Sequence, residues 1–438
     1  MPRHKIQPTI SNRLISVPHP SLANTSPWNA IAGQYQLRPG TQPGVLGQRP
    51  VLGDGRLGQL LQGQRGDAVV RNLGIIFTLC AHAHRRAATM ALAAAQGEKP
   101  IDDVVSPPAA LWLETARDHL RSMALDWPQR LPMTGTTASA PPDLTWLQGC
   151  PLPLVARGAP VTTAAALDQL GQLRGWLESH ILGQSIAHWR QAHAEPLALA
   201  DWCQAHAGHL PPARFLHAWQ PMASRLHMPA RCLRVLHLDP SVQQQQLTEL
   251  ARDMVHQSGF VQQPTWHGQC VENGPWTRLR HGPQPVGMPR SAWWRLSARW
   301  LELLALAEAG SMAASASQKG VAMPALIASP ALHAGACAAN TGTAPLLATG
   351  ALWLAPGQAL AWCEMARGLL LHWVQLDAQG GVLDYRVLAP TEWNFHPQGA
   401  LAQAVSKLAS DDHASATLLA AAFDPCVSCT VFGATVTP

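Results

Sequence analysis

Two thiols near the carboxy terminus carry the strongest chemical signal in this 438-residue sequence. In Asp424-Pro425-Cys426-Val427-Ser428-Cys429 they stand three positions apart, and a turn begun at Pro425 brings both sulfurs to one side, where they can converge on one metal centre. Alone, such a pair is a weak signal. A structural zinc site asks for a second C-x-x-C pair, which the chain lacks, and a thioredoxin-like motif belongs at a strand-to-helix junction, not nine residues from the end. The partners must therefore be distant in sequence. Cys80 is the leading candidate, with His82 and His84 beside it, because Cys80 and His84 share a helix face at i, i+4.

Two other patterns are set aside. Gly53-Asp54-Gly55-Arg56-Leu57-Gly58 fits G-x-G-x-x-G, but no clear strand precedes it and Gly63 and Gly66 break the helix that should follow, so it reads as loop. Cys203, His206 and His209 have ligand-like spacing without a visible fourth partner, and read as a helix-surface cluster rather than a zinc site.

Length permits three domains or one large fold. Charged residues are 13% of the chain, about half the usual share, while 47% are hydrophobic, which excludes a disordered chain. The 17 Trp and 20 His then have to help build the surface, with many Trp partly exposed or packed on partners. An apolar interface or a large interior explains this composition, and high-GC codon usage explains it equally. A net charge of +5 without a basic run argues against nucleic acid. The amino terminus lacks the apolar core of a secretory signal and no apolar run reaches about 18 residues, so the expectation is a soluble, cytoplasmic protein without a membrane span. Nine Cys imply reduced thiols.

These residues need elements to place them. Residues 1–70 read as loop and edge strand, and Ala-rich sequence gives a helix from near Cys80 to before Gly97. Leu113, Ala116, Leu120, Met123 and Trp127 mark an amphipathic helix between Pro107-Pro108 and Pro128. Further helices carry Leu170, Leu173, Leu177 and Ile181, then Leu247, Leu250 and Met254, then Trp293 to Leu304 between Ser291 as N-cap and Gly310 as stop. The span from Gly320 to Cys363 has no charge, and is either a linker or buried across the core. Gly368–Leu376 and Val382–Leu388 form a hairpin around Asp377-Ala378-Gln379-Gly380-Gly381.

With these motifs the sequence resembles the large subunits of nickel-iron hydrogenases, and more closely their non-catalytic relatives, the large-subunit-like maturation proteins of the HupK/HoxV type. The family's D-P-C-x-x-C-x-x-H is matched through Cys429 and its E-A-P-R-G-x-L-x-H-W by Glu364-Met365-Ala366-Arg367-Gly368-Leu369-Leu370-Leu371-His372-Trp373. Its P-[ST]-x-W-N is matched by Pro390-Thr391-Glu392-Trp393-Asn394, and E-x-G-P-x-x-R more weakly by Glu272 to Arg278. Residues 100 to 260 carry no motif.

The resemblance implies a mainly α fold with minor β, namely a large-subunit-like helical core with a peripheral β-hairpin, in one domain over 1–438 (1–70 loop and strand, 71–310 helical body, 320–438 with hairpin and C-x-x-C). It also implies that Cys80 and Cys429 are iron ligands, with Cys426 as an auxiliary thiolate. Arg367 and Thr391, with Pro390 before it, match positions that hydrogen-bond iron-bound cyanide, and His84 matches one that donates to a sulfur. Phe77 stands where a nickel-only thiolate belongs, and Phe432 replaces the terminal His after which precursors are cut. Without that cut, the terminus could remain mobile. Ser11-Asn12-Arg13-Leu14-Ile15 offers no proton-relaying Glu. The expectation is thus no enzyme and no nickel, but a scaffold for the Fe(CN)2(CO) fragment of the hydrogenase cofactor. Its implied partners are the small chaperone and iron-sulfur maturation protein that build the fragment and the hydrogenase large-subunit precursor. A degenerate hydrogen-sensing subunit and a metal-free protein-interaction module are the alternatives.

Overall fold

The computed structural model describes residues 32–53, 55–98, 109–131, 141–155, 161–193, 196–229, 231–278, 290–318 and 346–432. The expectations for Ser11 to Ile15, Asp54, Pro107-Pro108, 320–345 and 433–438 lie outside these residues.

The fold is mainly α with minor β. In chain order come β1 (Gln34–Leu37), β2 (Val45–Gln48), α1 (Arg56–Leu61), α2 (Gly66–Ile76), α3 (Ala81–Ala95), α4 (Ala109–Arg121), α5 (Trp127–Arg130), α6 (Thr163–Trp176), α7 (Ile186–His193), α8 (Pro196–His206), α9 (Pro211–Arg225), α10 (Pro240–His256), α11 (Pro275–Arg278) and α12 (Ala292–Gln318). The carboxy-terminal part holds β3 (Thr349–Ala355), β4 (Gln358–Met365), β5 (Gly368–Leu376), β6 (Val382–Leu388), α13 (Pro390–Asn394), α14 (Ala400–Ser406), α15 (His413–Phe423) and β7 (Ser428–Val431). Among the described residues no helix is long and apolar enough to cross a membrane.

Several expected boundaries are corrected. A π-turn over Ser122–Asp126 links α4 to α5 without a break, the Trp127 N–H donating to the Ser122 carbonyl, so Pro128 lies inside the helical run rather than ending it. Gly310 does not stop α12, which runs eight residues further to Gln318. It lets α6 approach instead: a Cβ there would lie 2.4 Å from the Leu170 Cβ. The G-x-G-x-x-G stretch ends in the short helix α1 rather than in loop, preceded by a 3-10 turn at Pro50–Leu52. The tryptophans serve the core more than the surface: Trp189, Trp202 and Trp300 pack on one another at 5.2–6.3 Å between ring centres, and Trp353 is the large exposed exception.

The predicted hairpin is half of an antiparallel sheet ordered β3-β4-β5-β6, and that sheet is not peripheral. Strand alternation sends Ala359, Ala361, Leu370 and Val374 into the main helical core, and Leu360, Leu369, Leu371 and Trp373 into a second core with Leu247, Leu250 and Met254 of α10. With both faces covered, these strands read as near-continuous apolar runs. A second sheet, ordered β2-β1-β7, joins the two ends of the described chain: β1 pairs antiparallel with β2 and parallel with β7, placing Tyr35 opposite Cys429. This corrects the mobile terminus, because the strand carrying Cys429 is docked and Phe432 N–H donates to the Leu37 carbonyl at 2.8 Å.

Replacing Gly310 by Ala should destabilise the protein by about 1–3 kcal/mol in urea unfolding, despite a gain of about 1 kcal/mol in helix propensity. Combined with Leu170→Gly, which removes the Cβ in the way, the loss should be smaller than the sum of the two single effects. Strict additivity would show that the α6–α12 approach is not what the glycine serves.

Candidate metal centre

Sequence-distant segments are clasped by amides. Asn273, before α11, accepts from the Leu369 N–H at 2.8 Å through Oδ1, and its own N–H donates to Asn394 Oδ1 at 3.0 Å. Asn394 Nδ2 donates back to the Asn273 carbonyl at 2.9 Å. Gly368 makes the approach possible, since its φ of +133° and the Asn273 side chain leave no space for a Cβ. The weaker motif echo from Glu272 to Arg278 is therefore structurally central. Glu272 pairs with Arg295 and Arg278 with Glu302, both partners lying on the same face of α12 as Arg299. Glu302 also takes a 2.7 Å bond from the buried His119.

Arg367 is held by this frame. Its Nε donates to the Asp424 carbonyl at 3.1 Å, one terminal nitrogen meets Asp118 at 2.8 Å, and the other lies 3.3 Å from the Asp424 carboxylate. Arg299 reaches that carboxylate at 3.1 Å and the Ser122 hydroxyl donates to it at 3.0 Å. Burial works to lower the Arg367 pKa, but Asp424 and Asp118 outweigh it and raise it further. Its hydrogen bonds are thus the two to the Asp424 carbonyl and to Asp118, the carboxylate contact being an ion pair, so N–H capacity is left for an anionic ligand. Sequence reasoning quoted Asp424 within its motif but missed its role, and missed Asp118 entirely. The usable signal was a carboxylate four residues after Glu114 on an otherwise apolar helix face.

Cys80 is buried at the amino end of α3, whose first N–H groups are capped from α4: Glu114 accepts from His82 and Ala83 at 2.7 and 2.9 Å. Burial raises the Cys80 pKa well above the ordinary thiol value, Cys426 adds to this, and Arg367 opposes it. The thiol brought into Cys80's electrostatic range is thus Cys426, whose sulfur also lies 3.2 Å from the Thr391 hydroxyl. Pro390 starts the short helix α13 that positions Thr391. Cys429 sits apart on β7, packed at the edge of the main core, and burial pushes its thiol to about 12. Among the described residues no three His, Cys, Asp or Glu side chains are close enough to hold a metal ion.

Phe77 is packed against His84 and Arg49. Its ring stacks on His84 at 3.8 Å between centres and 8° between planes, and the Arg49 guanidinium lies 5.5 Å from its centre. His84 directs Nδ1 to His372 Nε2 at 3.0 Å, so only its other nitrogen is left for a sulfur. On the far side of Thr391, Glu392 accepts from the Tyr35 hydroxyl at 2.7 Å, and burial moves its carboxyl to about 7. Cys203 is buried away from the centre, with His206 bonded to its own helix.

The carboxylates of this network set an acid limit on stability. Despite burial, Arg278 and His119 hold Glu302 near 2, and Arg299 and Arg367 hold Asp424 near 2, below the ordinary 4.5 and 3.8. Their stabilisation is present above those ordinary values and lost as pH falls toward 2. Glu302→Gln should lower stability at pH 7 by about 3–5 kcal/mol, because Arg278 stays buried without its counter-charge. It should also flatten the loss between pH 4.5 and 2, as read by denaturant midpoints across pH.

Comparison with known proteins fits this arrangement. The pattern of the family described as nickel-dependent hydrogenase matches residues 235–432, the span that supplies Glu272, Arg367, Thr391, Asp424 and both carboxy-terminal thiols. The hydrogenase expression/formation protein HoxV of Cupriavidus necator is 36% identical over 428 residues, covering 92% of this chain and 96% of that protein. HupK of Rhizobium leguminosarum bv. viciae is 45% identical over 69 residues, covering 15% of this chain and 19% of its own. Among solved structures, the Ni-Fe-Se hydrogenase of D. vulgaris Hildenborough aligns with a TM-score of 0.49 at 15% identity, over 84% of this chain and 90% of that one. Identity sustained along nearly the full length of both chains places this protein in the HoxV/HupK family of hydrogenase expression/formation proteins.

Proposed function

We propose that this protein acts in hydrogenase formation, as a scaffold on which the Fe(CN)2(CO) fragment is held before transfer to the hydrogenase large-subunit precursor. The observations that support this reading are the Thr391 hydroxyl 3.2 Å from the Cys426 sulfur and the electrostatic influence of Arg367 and Cys426 on the buried Cys80, with Phe77 in place of a further thiol. Two thiolates suit iron, and the free N–H groups of Arg367 with the Thr391 hydroxyl suit cyanide nitrogens. Cys429, three residues beyond Cys426, is the further thiolate of this reading. Because the Cys80 thiol is buried and its pKa raised, loading displaces its proton. The cargo is substrate rather than resident cofactor; its donors are the small chaperone and iron-sulfur maturation protein, in the cytoplasm, and nickel takes no part.

A second reading, a metal-free protein-interaction module, is favoured by the absence of any preformed three-ligand cluster among the described residues. Anaerobic purification with infrared spectroscopy and metal analysis separates the two. The scaffold requires cyanide and carbonyl stretching bands with iron and without nickel; iron-free protein that still binds the precursor supports the module, and nickel-containing preparations that turn over hydrogen sink both. Cys80→Ala should abolish bound iron while Cys203→Ala keeps it; equal iron in the two variants removes the case for Cys80. Phe77→Cys, adding a thiol beside His84, should raise nickel retention at least tenfold, measured by equilibrium dialysis.

A further inference from the structure

The chain contains two tyrosines, and both are buried with their hydroxyls committed inside the protein, Tyr35 to Glu392 and Tyr385 to His372. Strand alternation places His372 on the face of β5 that carries Leu370 and Val374, toward α3 and His84. The result is a buried chain: Tyr385 Oη lies 2.7 Å from His372 Nδ1, and His372 Nε2 lies 3.0 Å from His84 Nδ1. No other partner for the Tyr385 hydroxyl exists among the described residues. Directing its hydrogen anywhere but at His372 Nδ1 would leave a buried O–H unsatisfied.

That one hydrogen orders the rest. If His372 Nδ1 accepts, its ring hydrogen is on Nε2 and donates to His84 Nδ1, which leaves the His84 hydrogen on Nε2. Burial keeps both rings neutral, His372 with a pKa near 3 and His84 well below its ordinary value, so the pattern holds at working pH. The Phe77 stack opposes a flip of the His84 ring. We propose that Tyr385 and His372 are positioning residues that lock His84 in its Nε2–H form, making it a hydrogen-bond donor one helical turn from Cys80 and denying it a role as metal ligand. A ligating histidine commonly donates its second N–H to a carbonyl or carboxylate; here the second nitrogen receives instead. The scaffold reading enters only in naming what His84 would donate to, a thiolate or an anionic ligand on iron.

Metal-free protein labelled with 15N-histidine tests the lock by multiple-bond 1H–15N correlation at pH 6 to 8, with the His84 signals assigned by their loss in His84→Gln. His84 should be almost wholly Nε2–H in the natural protein, and Tyr385→Phe should convert it to a mixture with a substantial Nδ1–H population. A natural protein whose His84 is already Nδ1–H overturns the proposal, as does a folded Tyr385→Phe variant with an unchanged tautomer. Should that variant not fold, the spectrum of the natural protein still decides. Iron content is read separately, so an empty scaffold would sink the cargo without touching the lock.

Discussion

Asp424 is the residue on which the centre depends. Its carboxylate meets Arg299, Arg367 and the Ser122 hydroxyl, and its carbonyl takes the Arg367 Nε–H, all away from water. Removing ions from water costs several kcal/mol each, and only tight pairing offsets it. A buried charge in such a net cannot shift without stranding another, so α4, α12, the β4–β5 turn and the end of α15 are fixed relative to one point. Asp424 holds a left-handed φ of 49° where α15 ends, and the next two residues are Pro425 and Cys426. The constraint that pins Arg367 thus also positions Cys426 against the Thr391 hydroxyl.

This net accounts for much of the unusual composition. A chain with 13% charged residues still buries Arg278, Arg295, Arg299, Arg367, Glu272, Glu302, Asp118, Asp424 and Glu392. Charges scarce overall are therefore concentrated where they align distant segments, and the tryptophans around them supply volume.

What the sequence made legible follows interaction range. Helices with a regular apolar stripe, such as α4, α6 and α10, were readable because the signal is local. Gly310 was misread because a glycine that ends a helix and one that admits a neighbouring helix look alike until Leu170 is in view. Strand β4 was missed because burial on both faces removes the polar alternation that marks a strand, and the half-buried edge strand β3 because its Thr349–Ala355 stretch lacks that alternation too. The β1–β7 ladder joins residues nearly the whole chain apart, which no local pattern reveals. At the centre, motif resemblance singled out Cys80, Arg367, Thr391 and the C-x-x-C pair, but only the fold shows the Thr391 hydroxyl against Cys426 and Cys429 as part of a strand.

That docked strand changes how a carrier would release cargo. Freedom of an uncut terminus is no longer available as the mechanism, since β7 is tied to β1 and Phe432 to Leu37. Yet β7 is a sheet edge of four residues, paired on one side, with Ser428 and Thr430 exposed. Such segments open at far lower free energy than the core they rest on. Asp424, by contrast, stays anchored in the ion-pair net whatever β7 does. On the scaffold reading the natural hinge therefore lies between Pro425 and Ser428: Cys429 can leave with the strand while Cys80, Arg367 and Thr391 keep their places, so loosening a ligand need not dismantle the cradle.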